Sequence, residues 1–123
     1  MATPRPFSML DVLLDVEPLS QVVFVHDYIQ LVFQDTYFSL YNRVTVHRGG
    51  CTLGASDAGF ADELRRLIGE RVVDTSSEEG QFSAVKFERG TQVSVSLRAE
   101  DANGPEAFEL GDNKGLCVVE QNT

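Results

Sequence analysis

The chain has no tryptophan, only two cysteines, and ten lysine or arginine residues against nineteen acids. It also lacks any apolar run approaching the roughly 20 residues that a membrane helix needs, which excludes a helical bilayer span. Two thiols, Cys51 and Cys117, do not make a disulfide scaffold and fit a reducing compartment. The early stretch "MATPRPFSMLDVLLDVEP" carries Asp11, Asp15 and Glu17, where a secretory signal would be uninterrupted and apolar. We therefore expect a cytoplasmic protein. The shortage of positive charge leaves a net charge of −9. Phosphate backbones need a basic stripe that releases counterions, and anionic lipid needs a polybasic patch, so nucleic acid and membrane are both expected non-partners. A basic protein is the electrostatically favourable partner.

What is present describes one domain, 1–123, large enough to bury about two thirds of its unfolded surface around a single core. An apolar share of 42% with 24% charged residues argues against disorder. Within it, "IQLVFQDTYFSLY" (29–41) and "AVKFERGTQVSVSL" (84–97) carry the same alternation. Sliding the chain by 54 residues sets Leu10 on Leu64, Leu13 on Leu67, Leu14 on Ile68, Leu31 on Val85 and Phe33 on Phe87. One extra residue in the next turn then brings Phe38 onto Val93 and Leu40 onto Val95. The match is one of apolar phase and implies an internal repeat, with halves at about 7–46 and 60–98.

The second half is the more legible. Phe60, Leu64, Leu67 and Ile68 recur at helical spacing, with Ser56 or Asp57 as N-cap and Gly69 as C-cap. Strands follow in "RVVDTSSEEG", "QFSAVKFERG" and "TQVSVSLRAE", with Gly80 and Gly90 between the runs. The first half repeats the plan with a helix around Leu10, Leu13 and Leu14, capped by Ser8 and stopped by Pro18, then strands at about 21–27, 29–34 and 37–46. Gln30, Gln34 and Ser39 fall on its outward face. Val32 and Tyr41 fall there too, which implies cover on both sides. "HRGGCTLGASDAG" (47–59) reads as a connector. In the tail, 99–123, Asn103 with Pro105 and Glu106 reads as a short helix start, and "GLCVVE" as a seventh, edge strand. The expected class is α+β: a duplicated α-β-β-β unit forming an antiparallel sheet of six or seven strands, or an open barrel, with two main helices.

The candidate sites are weighed against simpler roles. His47 and Cys51 stand four apart beside Arg48, but zinc sites bring ligands in close pairs and only one such pair exists; Cys117 in "LCVV" is expected to be a small buried residue. Cys51 lacks a base with an orienting partner. The glycines at 49, 50, 54 and 59 match no phosphate-loop spacing. Adjacent His26 and Asp27 point to opposite faces of a strand and fit a hairpin turn. No catalytic residue, metal ligand or cofactor follows. Two surfaces are left. Glu100, Asp101, Glu106, Glu109 and Asp112 form an acidic stretch suited to a basic protein, and His26, Tyr28 and Tyr41 could line a pocket between the two meanders. A second copy of the chain, joined through the last strand or the doubly apolar face, is a further partner the pattern allows.

The stretches "FVHDYIQLVFQD" and "LIGERVVDTSSEEGQFSAVKFERGTQVSVSLRAEDANGPEAF" resemble a loose group of small bacterial proteins of unknown function. The resemblance spans about 20–110 and is carried mainly by "HDYIQL" and "SLRAEDANGPEA". It implies no catalytic motif and no transferable site residues. By class analogy it suits a non-enzymatic interaction protein of the immunity kind. The other reading is a small-molecule-binding domain, or a minor enzyme, using the pocket.

Overall fold

The computed structural model describes residues 9–122. The period-two segments form ten strands: β1 (Gln21–Val25), β2 (Tyr28–Phe33), β3 (Thr36–Leu40), β4 (Val44–Arg48) and β5 (Cys51–Gly54), then β6 (Val72–Glu78), β7 (Phe82–Phe87), β8 (Gln92–Ser96), β9 (Glu106–Asp112) and β10 (Cys117–Gln121). A 3-10 helix at Met9–Asp15 precedes β1, helix α1 (Phe60–Arg65) precedes β6, and a 3-10 turn at Ala99–Asp101 precedes β9. They build two antiparallel five-stranded sheets, ordered β1-β2-β3-β9-β10 and β5-β4-β8-β7-β6. This corrects the expectation of one six- or seven-stranded sheet or an open barrel. Each sheet takes three consecutive strands from one half of the chain and a hairpin from the other.

The registers show how the core is assembled. Val22, Leu31, Phe38, Leu110 and Val118 form one row across the first sheet. Thr75, Val85, Val93, Val46 and Leu53 form the corresponding row across the second. Their apolar members all belong to, or pack against, one hydrophobic cluster spanning both sheets. Phe33 of β2 and Phe87 of β7 stack with centroids 6.3 Å apart and planes 10° from parallel. Phe38 meets Phe108 edge-on at 5.3 Å. Offset stacks and edge contacts of this kind add about 0.5–1.5 kcal/mol each beyond buried area.

Three elements differ from expectation for identifiable reasons. The stretch 37–46 is not one strand, because the chain crosses between sheets at Tyr41–Asn42–Arg43. The buried Asn42 amide satisfies the backbone exposed by that crossing, donating to the Ser96 carbonyl at 2.9 Å and accepting from Asn103 N at 3.0 Å. The "HRGGC" connector is a hairpin: Arg48 pairs with Cys51 across Gly49 and Gly50, whose φ values of 57° and 81° suit a two-residue primed turn. Glu106–Asp112 is a strand rather than a helix, because β3 and β10 flank it on both sides. "GLCVVE" does supply an edge strand, β10.

The helices are smaller than their periodicity implies. The first is a 3-10 helix burying Leu10 and Leu13; its expected cap, Ser8, lies outside the described residues. Helix α1 buries Phe60 and Leu64. Beyond it the bonds tighten to i→i+3, as in Leu67 N to Leu64 O, and this turns Ile68 outward to 47% exposure. No side chain caps α1: Gly59 occupies the position before it, and Asp57 instead accepts from the Gly54 amide at 2.8 Å.

Candidate functional site

A row of inward-facing side chains continues past the packed core at one end of the first sheet. Phe24, Ile29 and Leu40 are cross-strand neighbours in β1, β2 and β3. Leu40 is buried, but Phe24 is 51% exposed. The corresponding row in the second sheet reads Ser77, Ser83, Val95, and Ser77 and Ser83 hydrogen-bond to each other at 3.0 Å. An uncovered apolar floor is thus a property of one corner and not a consequence of the architecture.

The space above that floor is a cleft of about 770 Å³. Its walls come from the β1–β2 turn, the crossover after β3, the β5–α1 loop, the start of α1 and the turn after β8. Tyr28 and Tyr41 form one wall, with ring centroids 5.2 Å apart and planes inclined by 56°. Phe60, the first residue of α1, also lines it. Four aspartates line it, Asp27, Asp57, Asp62 and Asp101, together with one arginine, Arg43. The Asp57 carboxylate is held by the Gly54 amide at 2.8 Å and that of Asp101 by the Ser96 hydroxyl at 2.7 Å. Asp62 makes only an exposed ion pair with Arg65 at 3.6 Å. Asn103 anchors the loop by donating to the Asp27 carbonyl at 3.0 Å.

All three residues expected to share a pocket, His26, Tyr28 and Tyr41, line this cleft. The acidic stretch, in contrast, is dispersed. Asp101 lines the cleft. Glu100 pairs with Arg98 at 2.8 Å. Asp112 accepts from the backbone of Lys114 and Leu116, each at 2.9 Å, and so shapes the β9–β10 loop. Glu106 and Asp112 stand at opposite ends of β9, about 20 Å apart by strand rise. Glu109 lies mid-strand, paired in register with the buried Ser39, which Gln30 reaches from β2 at 3.0 Å. Beside it, burial raises the Tyr37 phenol above its ordinary range, and the Glu109 and Cys117 charges add to this. Tyr41 is raised as well, mainly by burial and then by Glu109.

The cysteines occupy edge strands and both are exposed, so Cys117 is not the buried residue expected. Cys51 borders a crevice of about 270 Å³ next to Arg48, which pairs with Glu63 at 3.4 Å. His47 turns to the Thr52 hydroxyl at 2.8 Å. Among the described residues, no group of three or more His, Cys, Asp or Glu is placed to hold a metal ion, and no helix is long and apolar enough to cross a membrane.

No protein-family model matches the chain, and neither does any curated protein or solved structure. The chemistry of the cleft therefore rests on its own residues. Sequence reading missed Phe24, Arg43, Asp57 and Asp62. Phe24 gave a signal, as an aromatic residue beside a turn. The others come from separate loops that only the tertiary fold gathers.

Proposed function

We propose that this protein is a non-enzymatic interaction module that binds a basic protein partner, and that it does so through this cleft, Asp101 included, rather than through Glu100, Glu106, Glu109 and Asp112. The observation carrying this reading is the union of an uncovered apolar floor with four aspartates on one concave surface. Pockets combining an apolar lining with a few convergent polar groups are the usual geometry of recognition. Buried apolar contact supplies affinity there, and opposite charge supplies approach and selectivity. A cleft of about 770 Å³ also falls within the range that accommodates small organic ligands, which favours a small-molecule cation as the second reading.

Selection of random peptides on the full chain tests the first reading. Enriched segments are expected to carry net positive charge and to lose most of their enrichment on Asp27→Asn/Asp62→Asn, two exposed positions whose change spares the core. Equal enrichment on that variant would contradict it.

We infer that the chain is a duplicated unit of a helix and five strands, not the helix and three strands of the sequence expectation. Three features support it: the matched strand orders, the matched register rows, and the stacking of Phe33 on Phe87, the pair aligned by the sequence repeat. In that reading one corner carries serines, Ser77 exposed and Ser83 buried, while its counterpart carries Phe24 and Ile29 and became the cleft.

A further inference from the structure

We propose that the cleft reads an arginine side chain, presented by an otherwise apolar segment of a basic protein partner. This rests on the cleft being the binding site, as argued above, and adds the chemistry of the group it takes. Two properties of the walls select that group. Four aromatic residues line the cleft, Phe24, Tyr28, Tyr41 and Phe60, of which Phe24 is 51% exposed and Phe60 is buried, and aromatic rings attract cations, planar ones especially. The carboxylates of Asp57 and Asp101 are fixed by their hydrogen bonds, so they meet an incoming cation already oriented. Asp27 and Asp62 are exposed and add charge at the mouth. Arg43 makes no direct ion pair with any of these acids among the described residues, and its single charge against four carboxylates leaves the lining net negative.

A guanidinium satisfies both halves of this environment. It is planar, weakly hydrated, stacks on aromatic faces and meets carboxylates with two parallel donors. An ammonium is a compact and strongly hydrated charge, and it gives up more solvation beside Phe24 and Phe60. A single side chain leaves much of about 770 Å³ unfilled, so apolar residues flanking the arginine enter with it and cover Phe24 and Ile29. A free small guanidine has charge but nothing to cover that floor.

Calorimetric titration of the full chain with four probes tests this. They are acetyl-Leu-Arg-Leu-amide, the same peptide with neutral, near-isosteric citrulline, the same peptide with lysine, and agmatine. The arginine peptide is expected to bind at least tenfold more tightly than the citrulline peptide and agmatine, and severalfold more tightly than the lysine peptide. Asp27→Asn/Asp62→Asn is expected to weaken it severalfold. Equal binding of the citrulline peptide overturns recognition of the cation and leaves the binding module intact. Equal binding of lysine overturns the choice of arginine, and equal binding of agmatine replaces the protein segment with a small guanidine. Absence of binding by all four overturns this inference and the reading of the cleft together.

Discussion

Asn42 is 4% exposed and uses both ends of its amide: Nδ2 donates to the Ser96 carbonyl and to Asn122 Oδ1, while Oδ1 accepts from Asn103 N and Asn122 Nδ2. Truncation leaves several of these partners unsatisfied, so Asn42→Ala is expected to cost about 2 kcal/mol or more in chemical denaturation. Gly111 answers to sterics instead. The Tyr37 ring lies across it, and a Cβ added there would overlap the phenol. Gly111→Ala should lose about 1–3 kcal/mol, and pairing it with Tyr37→Ser should recover much of that loss. The raised Tyr37 and Tyr41 phenols set a pH dependence. Above about pH 10 the unfolded chain gives up these protons before the folded one does. Their contribution to stability is therefore complete below that pH and falls as the pH rises through the folded values. Absorbance titration of phenolate should show Tyr37 and Tyr41 ionising above the ordinary tyrosine range, and urea midpoints should fall over the same interval.

At the scale of elements, the inner rows separate core from site. Phe33 and Phe87 are fully buried against each other, so Phe33→Ala is expected to cost about 3–5 kcal/mol. Phe24 lies in the same sheet with the same inward phase but open to solvent, so Phe24→Ala should cost about 1 kcal/mol or less and act on binding instead. Thermal unfolding of the two variants side by side checks the contrast. Strand phase was legible in residues 21–33 and 82–96 because alternation is local. Alternation does not say which sheet a strand joins, so the break at Asn42 and the second five-stranded sheet were invisible. "HRGGC" reads equally as a linker because a two-residue primed turn and a flexible joint share the same glycines. "EAFEL" follows what looks like a helix start, and one of the two strands that make it a strand, β3, is distant in sequence. Tyr28, Tyr41 and His26 are legible because they flank turns at one sheet end; Asp57 reaches the cleft from the β5–α1 loop and Asp62 from α1, which touches β1 and β4, strands of different sheets.

At the scale of the whole molecule, the two halves exchange hairpins: β4–β5 completes the sheet of β6–β8, and β9–β10 completes that of β1–β3. One interior joins them, and the cleft lies where the two crossovers and α1 converge on the open end of β1–β3. The net charge of −9 is spread over the surface, but a concave site assembled from both halves concentrates part of it against apolar walls. The most direct measurement is a backbone amide shift map of the full chain titrated with the arginine tripeptide. The account expects saturable shifts gathered at 24–29, 41–43, 55–62 and 99–103. Shifts centred instead on 106–112 and 117–121, with the cleft unmoved, would contradict it.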